Sequence, residues 1–171
     1  MCYNGHVDMA NIEDHLDGRL CEAVALLRGA LGPALRSVVL FGSHARGCAR
    51  ADSDVDLLVV VDGASDGARA LRSGVRGALR REVDIYVFGQ DDLRENFRVV
   101  APVLSTLVLG IRVLYDPDAV FRRLFRSFLP KLARSRRRYL EGTVTWELHA
   151  LARDLAASHA SSLEPLLTTL P

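Results

Sequence analysis

Asp54 and Asp56 stand two residues apart at the head of an apolar run, Val55-Asp56-Leu57-Leu58-Val59-Val60-Val61. Side chains alternate faces along a strand, so in an extended run both carboxylates project from one side. Two anions held that close repel, and without a cation one of them would titrate above the usual carboxylate range. A bound Mg²⁺ removes the conflict, since it takes oxygen ligands and favours carboxylates together with substrate phosphates. The pair is half of a metal site. Asp84, in Val83-Asp84-Ile85-Tyr86-Val87, is a third acid among apolar β-formers, where an unpartnered charge is costly to bury. Asp54, Asp56 and Asp84 could hold one or two Mg²⁺ ions beside a nucleoside triphosphate, the arrangement that in-line phosphoryl displacement uses.

Phosphates also need donors, and Gly42-Ser43 offers them: a glycine that permits close backbone approach and a serine with a hydroxyl and an N–H. A helix starting near Ser43 would add its positive end. Arg46 and Arg50 follow in the loop, Arg46 being the better placed to reach a phosphate.

The elements that must position these residues follow from periodicity. Leu16, Leu20, Val24, Leu27 and Leu31 recur at helical spacing before Gly32-Pro33. Residues 37–41, 55–61, 82–88 and 111–115 read as strands, rich in β-branched residues and bounded by Gly, Asp or Pro. Residues 64–80 are helix-compatible, Asp91-Asp92 is expected to cap a short helix, and 99–109 to continue as helix with Pro102 in its first turn. Everything beyond reads as helix, 118–140 and 143–159, with Pro130 expected to kink or divide the first. The domain expectation is a catalytic unit over residues 1–116, N-terminal helix included, and a helical extension over 117–171.

Composition narrows the class. With 49% hydrophobic and 25% charged residues the chain is neither disordered nor a membrane protein, and its start lacks a secretory signal, so a cytoplasmic location is expected. Cys2, Cys21 and Cys48 form no paired motif and read as reduced thiols without chemistry. The net charge of +1 hides an asymmetry: residues 118–138 carry +7 and the remainder −6. A solvated helix face is the usual meaning of such a run, with an acidic protein or RNA phosphates as functional readings; nucleic acid is not the favoured one. Phe121, Phe125 and Phe128 form a packing stripe rather than a base-stacking surface.

Gly42-Ser43, the ten residues 44–53 and Asp54-Val55-Asp56, with Phe41 ahead and Ala45-Arg46-Gly47 behind the serine, resemble the signature of the minimal nucleotidyltransferases of the DNA polymerase β superfamily. Asp84 matches that family's third acid and residues 111–116 its closing strand, so the resemblance spans roughly residues 35–116. It implies an α+β (mixed α/β) nucleotidyltransferase fold, a small mixed sheet flanked by helices, here with a C-terminal helical extension. It also implies Mg²⁺ on Asp54, Asp56 and Asp84, nucleotide contacts from Gly42, Ser43, Arg46 and Ser53, and transfer of AMP from ATP to a hydroxyl. Small proteins of this kind are often antitoxins that add AMP to a tyrosine of a HEPN-domain toxin partner; others modify antibiotics. A small-molecule acceptor such as an aminoglycoside, or stoichiometric masking of a toxin, are the alternatives, and self-association into a homo-oligomer stays open. Arg153 and His159 distantly match the R-x(4–6)-H motif of HEPN ribonucleases, but the tail is too short for that bundle, and Trp146, Leu148, Leu151 and Leu155 are better explained as an apolar helix face.

Overall fold

Two apolar runs pair antiparallel at the centre of the sheet in this computed structural model, which describes residues 9–63, 71–157 and 167–169. They are β1 (Leu35–Phe41) and β2 (Val55–Val61). β2 adds β3 (Val83–Gly89) in parallel on one side. β1 adds β4 (Ile111–Tyr115) antiparallel on the other, and β4 in turn pairs in parallel with a short terminal strand, Leu167–Thr169. The helices are α1 (Met9–Leu31), the single turn α2 (Gly42–Ala45), α3 (Arg72–Leu79), α4 (Gln90–Arg98), α5 (Pro102–Ser105), α6 (Val120–Arg134) and α7 (Leu148–Ala157). This is the small mixed sheet flanked by helices that the resemblance implied, with helices on both faces.

The continuous hydrophobicity of β1 and β2 follows from that sandwich. Val38, Leu40, Leu57 and Val59 pack with Leu20, Leu27, Val75 and Leu79 of α1 and α3 on one face. Their neighbours Val39, Phe41, Leu58 and Val60 turn to the other face, onto α4, α6 and α7. A strand covered on both sides has no solvent face on which to alternate polar residues.

The carboxyl-terminal third departs from the expectation of helices alone. The helix expected over 118–140 ends at Arg134, and Tyr139–Glu141 (β5) and Val144–Trp146 (β6) form an antiparallel hairpin with Gly142 at φ +60. Glycine at the first central position of a two-residue loop supplies the positive φ such a turn needs, and Val144 and Thr145 favour extended backbone. Trp146 therefore lies in a strand, while Leu148, Leu151 and Leu155 do form the inward face of α7. Pro130 does not divide α6. Its cost of about 3 kcal/mol is offset by neighbours buried around it, Phe128, Leu129 and Leu132, at roughly 1.5–3 kcal/mol each. The phenylalanine stripe is core, with Phe125 and Phe128 both packed against Phe97 of α4.

Smaller corrections have similarly local causes. Gly89, not Asp91 or Asp92, occupies the N-cap of α4, and the two acids sit in its first turn, where they still favour the positive helix end. The helix expected over 99–109 is broken into α5 and a 3₁₀ stretch, Thr106–Leu109, ahead of Gly110. Of the helix expected over 64–80, residues 64–70 lie outside the described residues, as do Cys2 and His159.

Asp116, read from sequence only as a strand stop, joins sheet to helix. It is 5% exposed; its carboxylate accepts the Ser37 hydroxyl at 2.8 Å and the Phe121 and Arg122 amides at 3.2 Å each. Asp116→Ala strands these donors and removes the cap of α6, so urea unfolding should show a loss of about 3 kcal/mol, with nucleotide transfer retained at temperatures where the variant stays folded.

Candidate active site

Strand register builds the acid cluster. In the parallel β2–β3 pair Asp56 lies directly beside Asp84, and in the antiparallel β1–β2 pair Phe41 lies opposite Asp56. Asp54 is the exposed residue immediately before β2 rather than its first strand residue. The three carboxylates still act on one another: Asp56 is pushed up to about 6, first by burial, then by the charges of Asp84 and Asp54, with Arg46 opposing. The sequence spacing anticipated only the last and smallest of these raising effects, that of Asp54.

Gly42 closes the other side of the cluster. Its φ is +72, and a Cβ there would meet Asp56 Oδ2 at 2.0 Å and Cγ at 2.9 Å. The glycine therefore makes the notch in which the Asp56 carboxylate sits. Ser43 follows in α2, which is one turn only and so brings little helix dipole. The Ser43 hydroxyl has no hydrogen-bond partner among the described residues and is free for a ligand, while its carbonyl accepts the Cys48 amide at 3.1 Å.

The loop over 46–54 is pinned rather than open. Ser53 Oγ accepts the Arg50 amide at 2.8 Å, so that hydroxyl closes a turn. His44 donates from Nε2 to the Ser53 carbonyl at 3.2 Å; burial lowers its pKa and keeps it neutral. Arg81, just ahead of β3, donates to the Ala51 carbonyl at 2.6 Å. Arg46 is mostly buried, lies against Gly110, and pairs with Glu141 of β5 at 2.6 Å. The hairpin thus reaches the signature loop through one ion pair.

Two residues at the site carried no sequence signal. Arg72, the first residue of α3, donates to Asp84 Oδ1 at 2.7 Å and to the Val83 carbonyl at 3.1 Å. Tyr86, two residues after Asp84 and hence on the same face of β3, sets its ring edge-on to Phe41 at 5.5 Å; burial and the Asp84 and Asp56 charges raise its pKa. Helix starts and strand tyrosines are common, and only tertiary pairing gives these a place.

Among the described residues no group of three His, Cys, Asp or Glu side chains converges closely enough to grip an ion as it stands. The donor set nevertheless fits a hard cation: carboxylate oxygens, the Asp84 and Asp54 charges that disfavour the Asp56 anion, and a glycine notch that holds the central carboxylate.

A two-faced mixed sheet carrying an acid pair, a third acid in register, and a glycine-serine turn defines a nucleotidyltransferase. The chain belongs to the nucleotidyltransferase domain family, whose model matches residues 27–138. A Methanocaldococcus jannaschii protein, provisionally named as a protein adenylyltransferase, is 26% identical over 141 residues, which cover 80% of this chain and 96% of that protein. Among solved structures, a variant of the toxin–antitoxin complex MntA–HpeT matches with a TM-score of 0.50 at 19% identity, over 66% of this chain and 85% of that one. A tri-AMPylated Shewanella oneidensis HEPN toxin in complex with MNT antitoxin matches with a TM-score of 0.46 at 19% identity, over 66% and 82%. At 19% identity the likeness to the MntA–HpeT variant is one of fold. No helix among the described residues is long and apolar enough to cross a membrane.

Proposed function

We propose that this nucleotidyltransferase moves AMP from ATP to a tyrosine hydroxyl of a HEPN-type toxin, acting as its antitoxin. The observation that carries the reading is the register that sets Asp56 beside Asp84, with Asp54 adjacent and the Gly42 notch behind. The acceptor is argued from the relative named as a protein adenylyltransferase, which this chain matches over nearly its whole length, and from the fold shared with an antitoxin complex.

Asp54 and Asp56, with Asp84 once released from Arg72, would hold Mg²⁺, which supplies charge neutralisation at the triphosphate. The free Ser43 hydroxyl and the backbone at Gly42 would receive phosphate oxygens; Arg46 and Ser53 would support the same loop. In the transfer the acceptor oxygen bonds to the α-phosphorus and the bond to the bridging α–β oxygen breaks. Pyrophosphate leaves, and the acceptor proton passes to a carboxylate of the cluster. We take residues 1–116 as the catalytic unit and 117–171 as an extension, of which α6 and α7 pack on its core. ATP dependence makes the cytoplasm the expected compartment.

Incubation with α-labelled ATP and Mg²⁺, with and without lysate of its source, checks the acceptor. Label on a discrete protein band of HEPN type is the expected result. Label confined to a small molecule would overturn the protein acceptor, and binding of the toxin without label would replace transfer by masking.

A further inference from the structure

The carboxyl end of α6, the loop after it and the first half of α7 enclose a groove of about 480 Å³ lined by Ala133, Arg134, Arg136, Arg138, His149 and Arg153. Four of its six lining residues are arginines. Glu147 partly compensates, pairing with Arg138 at 2.8 Å and approaching His149 Nδ1 at 3.4 Å. Arg134, Arg136 and Arg153 have no ion-pair partner among the described residues.

A basic residue in the last turn of a helix commonly balances its negative end, which accounts for Arg134. It does not account for the others. Arg136 lies past the helix at φ +54, a conformation that costs a non-glycine residue about 1–2 kcal/mol. Arg138 belongs to the following loop and Arg153 to a different helix. Solvated basic faces spread charge over convex surface, whereas here arginines from separate segments line one concavity.

Guanidinium forks take phosphate oxygens two at a time. Protein interfaces instead rely on buried apolar and aromatic anchors, and Ala133 is the only apolar lining residue. We propose that this groove is an anion site for closely spaced phosphate groups, carried by a polynucleotide backbone or by a free polyphosphate. None of its residues belongs to the acid cluster. Its lining offers no Phe, Tyr or Trp among the described residues, and guanidinium forks contact phosphate, so it reads backbone charge and not sequence.

The test uses the full chain in chelator, so that the acid cluster is left metal-free, with a fluorescent 12-nucleotide RNA and inorganic tripolyphosphate as probes. The paired variant Arg136→Gln/Arg153→Gln should weaken binding about tenfold or more without lowering the unfolding temperature. RNA affinity should fall with salt at a logarithmic slope of about −2 to −3, the value for three or four neutralised phosphates on a single strand. Loss for RNA alone would identify a polynucleotide, and loss for both probes a phosphate chain of either source. Absence of binding tighter than millimolar, or an equal loss in the control Arg123→Gln/Arg126→Gln outside the groove, would overturn the proposal. So would a groove variant that keeps both probes but loses a protein partner.

Discussion

Asp56→Asn is expected to lower nucleotide transfer by about a thousandfold or more while making the metal-free protein more stable above pH 6. Removing a ligand charge from a phosphoryl-transfer site forfeits several kcal/mol of transition-state stabilisation, and about 4 kcal/mol corresponds to about a thousandfold in rate. The stability gain has the opposite origin. The Asp56 carboxyl is pushed up to about 6 in the folded chain because burial and the Asp84 and Asp54 charges disfavour its anion, against an ordinary value of 3.8. Between those values the folded state binds more protons than the unfolded state, so stability falls as pH rises through that window. Below pH 4 both states are protonated and the penalty vanishes; above pH 6 it is complete. Two pKa units would be about 3 kcal/mol, and partial exposure reduces this to about 1–2 kcal/mol. Asparagine carries no charge and escapes the penalty. Urea unfolding in chelator should therefore find the variant more stable at pH 8 and indistinguishable from the wild type near pH 3.5. Mg²⁺ should raise the unfolding temperature of the wild type alone. Transfer above a tenth of the wild-type rate under saturating Mg²⁺ would remove Asp56 from the metal set, and a pH-independent stability difference would contradict the repulsion.

Gly42→Ala should cost transfer about a hundredfold or more for a modest loss of stability. The added Cβ would fall 2.0 Å from Asp56 Oδ2 and 2.9 Å from its Cγ, so the carboxylate has to leave its notch. A displacement of about 1 Å at a reacting centre can cost about a hundredfold. The stability cost is set mainly by the positive φ, about 1–2 kcal/mol. Gly47 supplies the control: its φ is +65, yet a Cβ there meets nothing within 4 Å. Gly47→Ala should lose similar stability and keep its activity. If both variants lose transfer equally, loop strain and not the notch is responsible, and the part given to Gly42 falls.

The strands were legible because their signal is local. Residues 55–61 and 111–115 match the observed strands residue for residue, since β-branched runs bounded by Gly, Asp or Pro have few other solutions. The hairpin at Tyr139–Glu141 and Val144–Trp146 was not, because basic residues at helical spacing ran straight into it and three-residue strands carry almost no periodicity. The terminal strand Leu167–Thr169 is as short, and it is extended only because β4 offers it an open edge.

The glycine-serine turn and the spacing to Asp54 and Asp56 were legible along the chain because they involve near neighbours, although alternation along one strand does not account for the pair, since Asp54 precedes β2. Tertiary structure decided everything that joins distant residues. It brought Asp84 beside Asp56 through parallel register, engaged Asp84 with Arg72 and Arg46 with Glu141, and gathered arginines from α6, its following loop and α7 into one groove. Electrostatic and steric contacts depend on distance in space, and along a chain that distance is fixed only once sheet register and helix packing have been chosen.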